Sequence, residues 1–113
     1  MSLSNKISFV SVLSRGKKST DAFFFVAYLN NGHPIGRIGV SVPKRLVGRA
    51  TERNKIKRAV KEAFLQTLRP LSIDIVAIYK DKPAQKRSVK IVRESIQKHF
   101  DRIKTELETR ENQ

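Results

Sequence analysis

Arg53, Asn54, Lys55, Lys57, Arg58 and Lys61 crowd into nine residues, and five of the six are cations. Guanidinium and ammonium groups at this density do one kind of chemistry well: they neutralise and hydrogen-bond phosphate oxygens. A charge run is more often an ordinary solvated helix face, but such faces mix signs. Here Lys44, Arg45 and Arg49 extend the run, so residues 44–61 hold eight cations against one acid, Glu52. The balance favours a polyanionic partner. Neutralising roughly five to seven phosphates would make binding steeply salt-dependent.

A second group offers stacking. Phe23, Phe24 and Phe25 are consecutive, and in a strand one parity faces the core while the other faces solvent or a groove. Phe9 and Leu13, at i and i+4 of a helix, form a further apolar pair. Plain core packing is the ordinary role of each. The alternative is a platform for unpaired bases, which needs aromatic faces beside cations. Arg37, Gly39 and Ser41 would line the same groove, the glycine letting another backbone come close.

Groups for autonomous catalysis are missing. His33 sits in a turn and His99 flanks the stripe of the last helix, neither with a ligand-like neighbour. The acids are scattered; Asp74 opens a strand and Glu62 lies on a helix, with no sign of a catalytic carboxylate pair. The chain has no cysteine, which removes disulfides, thiol catalysis and thiolate metal sites. Gly16-Lys17-Lys18-Ser19 and Gly36-Arg37-Ile38-Gly39 echo phosphate-loop and G-x-x-G patterns but lack their flanking elements. No catalytic residue and no metal site is expected.

The elements that must hold these residues are legible from periodicity. Ile56, Ala59, Val60, Ala63, Phe64 and Leu68 fill an arc of roughly 180° on a helix over 51–68, with Lys57, Lys61, Asn54 and Arg58 beside it. Pro70 closes this helix. A short helix is expected over 4–15, capped by Ser4 or Asn5 and stopped by Gly16. Residues 17–21 read as a basic loop, and Phe23–Leu29 as a strand ended by Asn30-Asn31-Gly32. Residues 36–42 alternate, with Ile38, Val40 and Val42 on one face. Ile73–Tyr79 is apolar on both faces apart from Asp74, as in a central strand. Lys80 to Pro83 is a turn, 85–107 a helix with Val89, Val92, Ile96, Phe100, Ile103 and Leu107 along one stripe, and 108–113 a fraying tail.

One domain of 113 residues follows, with an ordered core over 6–107. Its fold class is α+β: a compact two-layer sandwich of about four strands and about three helices. The net charge of +14 points to nucleic acid rather than membrane, because the cations flank strands and packed helices instead of one isolated amphipathic helix. No run reaches the ~18 apolar residues of a spanning helix. A reducing, cytoplasmic setting fits the cysteine-free composition.

The chain resembles the protein subunit of bacterial ribonuclease P. The likeness rests on Arg53-Asn54-Lys55-Ile56-Lys57-Arg58, which is similar to the family's R-N-R-x-K-R signature. Arg37-Ile38-Gly39-Val40-Ser41-Val42-Pro43-Lys44-Arg45 and Lys61-Glu62-Ala63-Phe64 extend it, over about residues 7–104. The resemblance implies a sandwich like the second domain of ribosomal protein S5, with a left-handed βαβ crossover against the usual rule. It implies an endoribonuclease holoenzyme whose RNA performs hydrolysis with Mg2+ that RNA mainly holds. Its implied partners are ribonuclease P RNA and precursor tRNA, with no membrane and no obligate protein partner. By the same resemblance Lys44, Arg45, Arg49, Arg53, Asn54, Lys55, Lys57, Arg58 and Lys61 face the catalytic RNA. Phe9, Leu13, Phe25, Ala27, Arg37 and Ser41 line a cleft for the single-stranded 5′ leader. Lys55 and Lys61 stand where the family favours arginine, and Leu13 where an aromatic is frequent. The rival readings are a ribosomal or RNA-assembly protein of the same fold, without leader dependence, and an autonomous nuclease.

Overall fold

Alternating β-branched and aromatic residues build the sheet, and two long amphipathic stripes cover it. The computed structural model describes residues 9–81 and 89–111. In chain order these form α1 (Phe9–Arg15), β1 (Lys17–Thr20), β2 (Phe24–Asn30), β3 (Arg37–Ser41), α2 (Ala50–Thr67), β4 (Ile73–Tyr79) and α3 (Val89–Glu111). The four strands make one mixed sheet in the order β1-β2-β4-β3. β2 pairs antiparallel with both β1 and β4, whereas β3 and β4 are parallel and joined through α2. β4, apolar on both faces, is central as expected.

Strand parity divides the core in two. Phe24, Val26, Tyr28, Ile38, Ile75, Ala77 and Tyr79 point to the side where α2 and α3 lie. There they meet Ile56, Val60 and Phe64 of α2 and Val92, Ile96, Phe100 and Ile103 of α3. Burial of each large side chain contributes about 1.5–3 kcal/mol. Phe24 and Tyr79 add an edge-to-face ring contact with centroids 5.4 Å apart. The other parity, Phe25, Ala27, Leu29, Val76 and Ile78, packs with Phe9, Val12 and Leu13 of α1. The two-layer sandwich therefore carries α1 on its second face.

Three expectations change. Residues 17–20 are a strand, not a loop, paired in register from Lys17 with Tyr28 to Thr20 with Phe25. Hydrogen bonds supplied by the next strand, β2, override a locally loop-like composition. The last helix runs to Glu111 instead of fraying from Glu108: Glu and Arg are good helix formers, and Thr109 Oγ1 donates to Thr105 O at 2.8 Å. His99, at the edge of the stripe, does have polar neighbours: it is buried at 3% exposure beside Ser19 and Asp21. The expected Ser4 or Asn5 cap, residues 82–83 of the turn, residues 85–88 of the last helix, and residues 6–8 and 82–88 of the ordered core lie outside the described residues.

Candidate nucleic-acid interface

α2 is positioned by its stripe, which buries Ile56, Ala59, Val60, Ala63, Phe64 and Thr67. The remaining positions must then face outward. Glu62 pairs with Arg93 of α3 at 3.2 Å, which identifies the flank of α2 turned toward α3. Lys57 and Lys61, roughly 70° and 110° from the stripe centre in the opposite sense, lie on the other flank, toward edge strand β3. They are half-buried, while Asn54, Lys55 and Arg58 are exposed. Among the described residues, no hydrogen bond or ion pair engages the side chains of Lys55, Lys57, Arg58 or Lys61. Their donors are available to a ligand.

The loop entering α2 adds Lys44, Arg45 and Arg49, all exposed. It is not slack. Leu46 N–H and Val47 N–H both donate to Pro43 O at 3.0 Å, and Val47 packs on the main core. Arg49 is the N-cap residue of α2 and caps it with no side-chain hydrogen bond. Arg53 differs from its neighbours: its Nη1 donates to Val47 O at 3.0 Å and to Gly48 O at 2.8 Å.

The second surface lies on the α1 face of the sheet. Phe9, Leu13 and Phe25 are half-buried around buried Val12, Ala27 and Val76, so four of the expected cleft residues (Phe9, Leu13, Phe25, Ala27) meet in one apolar cluster. Ser41 is in register with Ile78, and Gly39 with Val76, so both share this face. Arg37 shares it too, but Asp74 holds two of its five N–H donors. Nε donates to Asp74 Oδ1 at 2.9 Å and Nη2 to Asp74 Oδ2 at 3.2 Å. Asn31 Nδ2 donates to the same Oδ1 at 2.9 Å.

Sequence reasoning missed the far rim of this groove. Thr20 is in register with Phe25 and Lys18 with Ala27, which puts both on the α1 face. Lys80 reaches across from β4, its Nζ donating to Thr20 Oγ1 at 2.6 Å. The available signal was the β-branched Thr20 before the Phe run.

The turn behind this rim is tied to α3. Asp21 Oδ1 accepts from Phe23 N–H and Phe24 N–H, each at 2.8 Å, and Oδ2 accepts from Ser95 Oγ at 2.5 Å. Burial works against ionisation of this carboxyl, but those donors together with His99 outweigh it and bring its pKa down to about 2. His99 Nε2 lies 3.3 Å from Asp21 Oδ1. That approach is close enough for attraction but is not aligned as a hydrogen bond. His99 Nδ1 contacts Ser19 Oγ at 2.7 Å.

The arrangement gives one rigid cationic flank and one partly exposed apolar, aromatic surface, on opposite faces of the sheet. Among the described residues no group of three or more His, Cys, Asp or Glu side chains is placed to hold a metal ion. No described helix is long and apolar enough to cross a membrane.

Comparison with known proteins agrees on one family. The family model for Ribonuclease P matches residues 1–104. The ribonuclease P protein component of Thermotoga maritima is 38% identical over 76 residues, covering 66% of this chain and 64% of that protein. The chain therefore matches just under two-thirds of the length of this relative. The Dictyoglomus turgidum component is 36% identical over 83 residues, covering 74% of this chain and 69% of that protein. Among solved structures, the RNase P protein of Thermotoga maritima in complex with 1-(4-fluorophenyl)-2-thiourea superposes with a TM-score of 0.73 at 29% identity, covering 86% of this chain and 94% of that one. The Staphylococcus aureus RNase P protein does so with 0.69 at 32% identity, covering 84% and 86%.

Proposed function

This chain belongs to the ribonuclease P protein family, and from that premise we propose that it is the protein component of a bacterial ribonuclease P, acting in the cytoplasm on the 5′ ends of precursor tRNA. The observation that supports this best is the pairing of two unlike surfaces on one small sheet. Among the described residues, Lys57 and Lys61 on the β3 flank of α2, and Lys55 and Arg58 on its outward face, keep their donors unspent. Phe9, Leu13 and Phe25 leave apolar surface in the groove of the opposite face. A single polyanion site would not need the second surface.

In this reading the α2 flank and the 43–49 loop bind the catalytic RNA. The groove takes the single-stranded 5′ leader, with bases against Phe9 and Phe25 and phosphates toward Lys18 and Lys80. Ser41 offers a hydroxyl at the β3 rim. Arg37 contributes to the groove by shape, since Asp74 holds its fork.

Hydrolysis belongs to the RNA subunit. Mg2+ in the holoenzyme is assigned to RNA, as the family resemblance implies; within the protein, Asp74 bonds Arg37 and Asn31, Asp21 bonds Ser95 and two backbone amides, and Asp81 accepts from Tyr79 Oη at 3.3 Å. The protein's part is to bind both RNAs and hold them in register.

The deciding experiment is reconstitution with a bacterial ribonuclease P RNA and precursor tRNA at low Mg2+. The protein should stimulate 5′ cleavage and favour leader-bearing substrate over mature tRNA. RNA binding with neither effect would instead identify an RNA-assembly protein of the same fold.

A further inference from the structure

The geometry points to Arg53 as a positioning residue: it orders the loop that presents Lys44, Arg45 and Arg49, and does not itself grip RNA. This rests on the reading that the α2 flank meets ribonuclease P RNA. Both hydrogens of Arg53 Nη1 are used on protein carbonyls, Val47 O at 3.0 Å and Gly48 O at 2.8 Å. No other cation of the 44–61 run has a side-chain hydrogen bond to the protein among the described residues. Arg53 is also half-buried, as are Lys57 and Lys61, whereas Lys44, Arg45, Arg49, Lys55 and Arg58 are exposed.

The loop needs such a staple. Its first half is fixed by the two amides on Pro43 O and by Val47 on the core. Its second half has no such anchor: nothing lies within 4 Å of where a Gly48 side chain would begin, and Arg49 caps α2 without a side-chain bond. Arg53 stands one turn into α2, where its backbone N–H already bonds Arg49 O at 3.0 Å. Its guanidinium therefore joins the loose half of the loop to the rigid helix. A loop ordered in advance loses less entropy when its cations meet phosphate. Arg53 would thus raise RNA affinity through three other residues, while its own charge adds only to the general field.

Two measurements test this. The first is the backbone order of Gly48 and Arg49 in the free protein, read from amide 15N relaxation, with the β4 amides as the check on the fold. Arg53→Ala should lower the loop order parameter from about 0.85 to below about 0.6 with β4 unchanged. Arg53→Lys is the milder second variant; it keeps the charge, but its single ammonium is expected not to span both carbonyls, and loop order should fall again. Native-like loop order in both variants overturns the proposal.

The second is a double-mutant cycle on binding to a bacterial ribonuclease P RNA. Arg53→Ala should weaken binding by about tenfold in the native loop. It should weaken binding by less than about twofold once Lys44, Arg45 and Arg49 are all alanine. Equal losses in both backgrounds would assign Arg53 a direct RNA contact and overturn the proposal. If the triple-alanine loop and Arg58→Ala both bind this RNA like the native protein, it is the RNA-face reading that fails; loop order still judges the staple.

Discussion

Arg37 and Asp74 form a two-point ion pair across the parallel strands β3 and β4, with N···O distances of 2.9 and 3.2 Å. Their side chains are 18% and 9% exposed, so neither charge is well solvated. Asn31 completes the shell of Asp74. Removing one partner leaves the other charge half-buried and alone, which costs about 3 kcal/mol or more. Asp74→Ala should therefore lower the unfolding free energy by that amount, read as a lower urea midpoint with an unchanged m-value. Arg37→Met with Asp74→Leu, which removes both charges, should recover most of the loss. A single Asp74→Ala effect below about 1 kcal/mol would mean that the pair is as weak as a surface bridge.

Asp21 sets an acid limit on stability. Its carboxyl ionises near 2 in the folded chain against an ordinary 3.8. A depressed folded pKa means that the unfolded chain binds the proton first as pH drops. The stabilisation is then whole above about pH 4 and is lost as pH falls through 3.8 toward 2. After discounting for partial solvent exposure, the contribution is about 1–2 kcal/mol. Unfolding followed from pH 5 to pH 2 should show that extra slope in the native protein and its absence in Asp21→Asn. Parallel curves would show that the donors from Ser95, Phe23 and Phe24 do not favour the charged form.

The two surfaces should separate by mutation. Arg58→Ala should weaken assembly with ribonuclease P RNA and lower the slope of log affinity against log salt by about one. Phe25→Ala should leave assembly intact and weaken binding of leader-bearing precursor tRNA to the holoenzyme by ~1–3 kcal/mol. Equal loss by both variants in both assays would merge the surfaces into one.

These surfaces were unequally legible in the chain. The α2 stripe and strand β4 follow from local periodicity, because each element's burial repeats with its own backbone period. The pairing of Arg37 with Asp74 does not, since the partners are 37 residues apart and only the β3/β4 register brings them together. For the same reason Arg37 reads in sequence as a free groove cation. β1 was hidden because Lys17 and Lys18 look loop-like until β2 supplies their hydrogen bonds. Arg53 looks like its basic neighbours; only the path of the 43–49 loop sets it apart.

Gly16 sits where α1 meets β2, in a role its place after a helix does not suggest. A glycine stop usually supplies a left-handed residue, yet Gly32 is the only described residue with positive φ. What Gly16 supplies is room. A Cβ there would stand 2.5 Å from both Val12 O and Tyr28 O, and these are backbone atoms that cannot rotate away. Gly16→Ala must therefore push α1 off β2. The core beneath would lose packing, at a cost of about 1–3 kcal/mol or more. Because Phe9 and Leu13 ride on α1 while Phe25 is fixed in β2, the groove should widen with it. The expected result is a lower unfolding midpoint together with weaker leader-dependent binding, while RNA-subunit assembly through α2 is retained. Native stability and native leader preference in Gly16→Ala would show that α1 has slack against the sheet, and that the groove does not depend on this contact.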